Sequence, residues 1–180
     1  MNSLIEWFSH FIEFHKNLVS LQKVTNTMFS KEESKSLRKE FWTTFGVYMK
    51  KYNKVYHNKV RWVNYNTKCK DIYLRLDVDK KKALFSIDIQ HKDEGMRGIF
   101  FEQFQELRAV ITESFPQELI WEPDYFNEFG ELSRIYVELP NVSVFNKNTW
   151  QETFQFMEKN IVAGHDFWED FGEIFLNLAE

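Results

Sequence analysis

The stretch D71-IYLRLDVDKKKALFSIDIQ-H91 decides the fold class. Its two halves alternate apolar and polar side chains with a period of two, and three consecutive lysines, Lys80-Lys81-Lys82, interrupt them. Alternation of this kind places successive side chains on opposite faces of a strand, and a short polar interruption returns the chain antiparallel to itself. The stretch predicts strands over Asp71–Val78 and Ala83–His91 joined by a two-residue turn at Lys80-Lys81. In the first, Ile72, Leu74, Leu76 and Val78 share one face, with Asp71, Tyr73, Arg75 and Asp77 on the other. In the second, Phe85, Ile87 and Ile89 oppose Ser86, Asp88 and Gln90. A turn of that length brings the two polar rows together on one side of the sheet.

Outward from the hairpin the period becomes helical. Ser30 with Glu33 forms a capping-box pattern ahead of a stripe of Leu37, Phe41, Phe45, Tyr48 and Tyr52. Asp93 starts a second helix carrying Met96, Phe100, Leu107, Val110 and Ile111 and closed by Pro116. Thr149 with Glu152 repeats the capping-box pattern before a run from Trp150 to Leu178, which Gly164 is expected to divide. Residues 4–21 add an amphipathic stripe that includes Phe8, Phe11 and Leu18. Further short strands are expected at Val60–Tyr65, Leu119–Trp121 and Leu132–Leu139. The last is expected near a sheet edge and to continue through Val142–Phe145 beyond Pro140. With connections too short for parallel crossovers, the expected class is α+β: a mainly antiparallel sheet of four to five strands covered by helices, with a helical N-terminal extension. Met28 is an alternative start, so the expected organisation is an extension over 1–27 and one domain over 28–180.

Composition limits the function classes. In 180 residues, 19 Phe, 6 Trp and 7 Tyr supply a large core, while 6 Gly and 3 Pro are too few for a low-complexity chain. A single cysteine, Cys69, forms no internal disulfide, and neither a secretory leader pattern nor a membrane-length apolar run is present; a cytoplasmic, membrane-free protein is expected. A formal charge of −4 does not indicate nucleic acid as a partner. His10, His15, His57, His91 and His165 show no zinc-ligand spacing with one another or with Cys69, and neither a phosphate-cradling glycine loop nor a nucleophile elbow occurs.

Two functional readings follow from the polar rows. Strand 132–139 places Arg134, Tyr136 and Glu138 opposite Ile135, Val137 and Leu139, so Tyr73, Arg75, Arg134 and Tyr136 form a candidate binding surface for a macromolecule. This non-enzymatic interaction module, needing no cofactor, is the first expectation. The alternative is a nuclease or its silent relative, because helix, three strands, helix and strand is an order that resembles the PD-(D/E)xK core. Asp71, Asp77, Asp88 and Gln90, with Glu40 from the preceding helix, would then surround Mg²⁺. Gln90 stands where that superfamily usually has Lys, and Pro123-Asp124 follows the motif rather than preceding it. Self-association through the aromatic stripe of residues 4–21 is a third expectation.

The segments KEESKSLRKEFWTTFG, WVNYNTKCKDIYLRLDVDKKKALFSIDIQHKDE and SRIYVELPNVSVFNKNTW resemble the prokaryotic family known as domain of unknown function 4268. Phe41-Trp42, Asp88-Ile89-Gln90 and Asn148-Thr149-Trp150 carry most of the likeness. The resemblance implies a compact bacterial domain running from Met28 to about Leu178, with 1–27 as an extension. It also implies relatives in which the domain follows a nuclease-like one, a nucleic-acid or defence context by association. Those relatives lack the acidic pattern around Asp71 and Asp88, which argues against a shared catalytic site.

Overall fold

A computed structural model describes residues 30–56, 60–128 and 130–179. The stripe over 4–21 and the self-association expected of it lie outside the described residues. The chain divides after Ser36, and Leu37–Glu180 forms one compact unit. Helix α1, Lys31–Tyr48, begins as the sequence predicts: Glu33 N–H donates to Ser30 Oγ at 3.1 Å, and Ser30 N–H donates to Glu33 Oε2 at 2.8 Å. A 3₁₀ segment over Met49–Lys54 extends it, so that Phe41, Phe45 and Met49 reach the core while Tyr52 falls in the tighter turn.

Strands β1 (Ile72–Val78) and β2 (Lys82–Ile89) form the predicted hairpin, pairing Tyr73 with Asp88, Arg75 with Ser86 and Asp77 with Leu84. Helices α2 (Glu94–Glu106) and α3 (Arg108–Ser114) follow; Asp93 caps the first by accepting from Met96 N–H at 2.9 Å. One helix was expected here, and it breaks at Leu107, whose φ of −91° and ψ of 9° depart from helical values. Strands β3 (Ile120–Asn127) and β4 (Gly130–Pro140) make a second hairpin before α4 (Trp150–Leu178). The sheet order is β1-β2-β4-β3, antiparallel throughout. The class is α+β.

Several local expectations are corrected. Residues 60–66 form no strand: Trp62 is buried 5.3 Å from the His165 ring and Tyr65 Oη lies 2.7 Å from His165 Nδ1, so side chains that alternate in sequence both serve α4. Strand β4 is interior, paired on both sides, because Pro140 lies at its last position, where no ladder bond is interrupted. It ends there, since Asn141 takes φ of 62° and Val142 and Val144 turn into the core. Strand β3 runs past Pro123 by a register shift between Glu122 and Tyr125. Thr149 caps nothing; its hydroxyl accepts from Ser143 N–H at 3.1 Å and a 3₁₀ turn at Lys147–Thr149 leads into α4.

Helix α4 is continuous through Gly164. A Cβ there would lie 2.8 Å from Leu74 Cδ2 and 2.9 Å from Phe85 Cζ, so the missing side chain lets the helix axis approach the sheet. Elsewhere in the core Phe104 stacks on Phe175 at 4.1 Å, Phe101 meets Trp121 at 6.0 Å and Phe41 meets Trp150 and Phe154 edge-on at 5.3 and 5.0 Å. Helices α1, α2 and α4 thus gather on the aromatic side of the sheet. Among the described residues no helix is long and apolar enough to cross a membrane.

Candidate binding groove on the polar face of the sheet

Strand pairing arranges the other face as rows that cross all four strands. One row reads Tyr73, Asp88, Arg134, Glu122, and the next Arg75, Ser86, Tyr136, Ile120. Because β2 and β4 are interior, the polar side chains at mid-strand are enclosed by neighbours: Ser86 is 0% exposed, Asp88 1% and Arg134 8%. Residues that the alternation marks as the sheet's polar side are therefore an inner polar layer. Buried polar groups of this kind need partners, since each unpaired one costs about 1–3 kcal/mol.

Asp88 is the hub of that layer. Arg134 donates to it through Nε and Nη2, both at 2.8 Å, a two-point arrangement that fixes the guanidinium plane. Arg75 Nε approaches Asp88 Oδ2 at 3.3 Å, and Arg75 Nη2 donates to Gln90 Oε1 at 3.2 Å. Each guanidinium also rests on an aromatic face, Arg134 over Tyr125 at 4.2 Å and Arg75 over Tyr73 at 4.5 Å. Tyr136 donates to Glu122 at 2.9 Å; burial and that carboxylate push its phenol up to about 12, so it stays a donor.

Ser86 departs from this pattern. Its hydroxyl is fully enclosed and has no hydrogen-bond partner. It lines a cavity of about 900 Å³ together with Asp88, Arg75, Tyr73 and Gln90. The cavity extends to Leu74 and Leu76 on β1, to the segment Val63–Tyr65, and to Asn127 and Glu128 at the β3–β4 turn. Of the two cations lining it, Arg134 is committed to Asp88, whereas the Arg75 side chain is 46% exposed.

The predicted binding residues Tyr73, Arg75, Arg134 and Tyr136 thus occupy one face, with Arg134 and Tyr136 held inside it by Asp88 and Glu122. The carboxylates proposed for Mg²⁺ have other arrangements. Asp71 precedes β1 with φ of 69° and lies 4.0 Å from His91; Asp77 accepts from its neighbour Val78 N–H; Asp88 is taken up by two arginines. Glu40 pairs with Lys147. Among the described residues no three Asp, Glu, His or Cys side chains form a metal-holding group.

Ser86, Glu122 and Tyr125 were missed as site residues. Parity alone placed Ser86 beside Asp88, and only the interior position of β2 distinguishes an enclosed serine from a solvated one.

A second polar cluster lies against α4. His165 is buried among the rings of Tyr56, Trp62 and Tyr65 at 4.5, 5.3 and 5.6 Å, and burial holds its imidazole below the ordinary range despite Glu169 and Asp166 nearby. Glu158, about two helical turns back, accepts from Tyr48 and Tyr52 and pairs with Lys51 at 2.6 Å. These bonds tie α1 and the following segment to α4, which is a structural role.

Comparison with known proteins bears on the same span. The model of a family described as Domain of unknown function (DUF4268) matches residues 37–172. No curated protein and no solved structure matches the chain.

Proposed function

We propose, from the premise that this chain belongs to the family Domain of unknown function (DUF4268), that the domain is a non-catalytic module that binds a polypeptide in the groove on the polar face of its sheet. The observation that carries the reading is the cavity of about 900 Å³ lined by Tyr73, Arg75 and Gln90, large enough for several residues of peptide. The wall chemistry favours a peptide over a nucleic acid. Arg75 and Arg134 share the cavity with Asp77, Asp88 and Glu128, and a phosphate backbone requires an excess of cations that this wall lacks. Tyr73 and Arg75, stacked on each other, offer the combination of apolar area and directed donors common at the centres of protein interfaces.

The test is a titration of the isotope-labelled chain with a degenerate library of extended octapeptides, followed by amide and side-chain nuclear magnetic resonance. Shifts centred on Tyr73, Arg75 and Ser86 that weaken in Arg75→Ala support the reading. Shifts confined to another surface, or preferential binding and Mg²⁺-dependent cleavage of a mixed-sequence single-stranded oligonucleotide, overturn it.

A further inference from the structure

The outer edge of β1 suggests how a peptide would be held, an inference that rests on the groove being a binding site. Ladder geometry fixes which backbone groups face outward. Gln90 N–H donates to Asp71 C=O at 2.7 Å and Asp79 N–H donates to Lys82 C=O at 3.0 Å, so the odd-numbered residues 71–79 bond to β2. The N–H and C=O groups of Ile72, Leu74, Leu76 and Val78 consequently point away from the sheet.

Both ends of that edge are occupied by side chains. Thr67 Oγ1 donates to Ile72 C=O at 2.7 Å. Val78 N–H donates to Asp77 Oδ1 at 2.8 Å, and Arg38 Nη1 donates to Val78 C=O at 3.3 Å. Between them the outward groups of Leu74 and Leu76 have no hydrogen-bond partner among the described residues. The same two residues line the cavity, with Val63, Asn64 and Tyr65 also on its wall. The edge is capped at its ends and open in the middle.

We propose that the β1 edge accepts an extended peptide as an added strand, with an apolar–acidic–apolar triplet opposite Leu74, Arg75 and Leu76. An antiparallel strand in this register makes two hydrogen bonds to Leu74 and two to Leu76. Its flanking side chains fall on the face of Leu74 and Leu76, where half-buried Leu76 offers apolar surface. Its central side chain falls on the polar face opposite Arg75, the half-exposed guanidinium of the groove, and a carboxylate there completes the charge.

A second copy of this chain fits the edge poorly. The only two-fold register that confines the pairing to Leu74 and Leu76 sets Arg75 against Arg75 of the other copy, and like charges directly opposite destabilise a ladder. Centring on Leu76 would oppose Arg75 with Asp77, but it calls on the Val78 groups that Asp77 and Arg38 already occupy. The partner is a different chain, recognised by its own alternation.

Hydrogen exchange of the labelled full-length chain, with the capped pentapeptide Thr-Val-Glu-Val-Thr at millimolar concentration, tests this directly. The expected result is slowing of the Leu74 and Leu76 amides by at least about tenfold at saturation, because each becomes a ladder donor. The Lys-centred peptide is expected to bind about tenfold more weakly, and Arg75→Glu to reverse that order. Arg75→Gln, which keeps length and polarity, should abolish the preference in either direction. Shifts at Tyr73 and Ser86 with unchanged exchange at Leu74 and Leu76 overturn strand addition while leaving the groove reading standing. No response to either pentapeptide or to the octapeptide library overturns both. Protection that rises with protein concentration alone, accompanied by a doubled sedimentation mass, overturns the proposed partner in favour of a second copy.

Discussion

The two faces of β2 are about equally buried and are built in opposite ways. Phe85, Ile87 and Ile89 fill volume against helices, whereas Ser86 and Asp88, as deeply enclosed, depend on hydrogen bonds. Truncating a side chain on the first face forfeits burial and opens a void, and the cost scales with the void. On the second, removing one partner leaves a charge or dipole stranded in the interior, and the penalty is set by what remains. The largest expected effect is therefore on the polar side. Arg134→Ala should destabilise the domain by about 3–5 kcal/mol, toward the lower figure because Arg75 stays 3.3 Å from the orphaned Asp88 carboxylate. The double change Asp88→Leu with Arg134→Leu should recover most of that loss, as urea midpoints of the three proteins would show. A loss below about 1 kcal/mol for Arg134→Ala would mean that the pair does not organise the face.

On the apolar side the corresponding break is steric. Gly164→Ala adds a Cβ within 3 Å of Leu74 and Phe85, and overpacking of this kind costs about 1–3 kcal/mol against a helix-propensity gain of about 1. The net expectation is a modest loss. Gly98→Ala in α2 provides the contrast, since nothing lies within 4 Å of a Cβ there and propensity alone should raise the urea midpoint. Equal effects from the two substitutions would contradict the close approach of α4 to the sheet.

This asymmetry also explains what was legible in the sequence. Alternation over 71–91 was sufficient for the β1–β2 hairpin, its register and the separation of faces, because one strongly apolar row fixes the other. Helix α1 was equally plain, with a capping box whose two bonds both form. Local pattern failed where tertiary context decided. Val60–Tyr65 alternates as a strand does, yet Trp62 and Tyr65 are drawn to His165; Gly164 reads as a break and serves as a close contact; Pro140 reads as an edge signal and merely ends an interior strand. The candidate site was half visible. Parity grouped Tyr73, Arg75 and Asp88, but the enclosure of Ser86 and the open middle of β1 depend on strand order and long-range caps that no window of sequence contains.

The aromatic side carries a titratable group of its own, which sharpens the comparison through pH. Burial depresses the His165 pKa in the folded chain below its value in the unfolded one. The unfolded state then binds the proton more readily, so the contribution of neutral His165 is fully present above the unfolded pKa of about 6.5 and is lost as pH falls from there toward the folded value. Urea midpoints measured down that window should decline in the parent chain and decline less in His165→Gln. Glu169 and Asp166 act in the opposite direction, so a parent midpoint that rises on acidification would show that their attraction outweighs burial.

The smallest expected effect on stability is also the one that links the inner polar layer to the groove. Ser86→Ala removes a hydroxyl that has no partner, so the folded state loses nothing and is relieved of an unsatisfied group, giving no change or a gain of up to about 1 kcal/mol. Arg134→Ala and Ser86→Ala thus alter enclosed polar side chains in adjacent cross-strand rows with effects of opposite sign. If Ser86 is kept for a ligand, its replacement should weaken peptide-induced shifts at Tyr73 and Arg75 while leaving the urea midpoint unchanged or higher. A serine whose loss stabilises the domain and weakens binding is a binding residue; one whose loss lowers the midpoint is bonded inside the fold and takes no part in the groove.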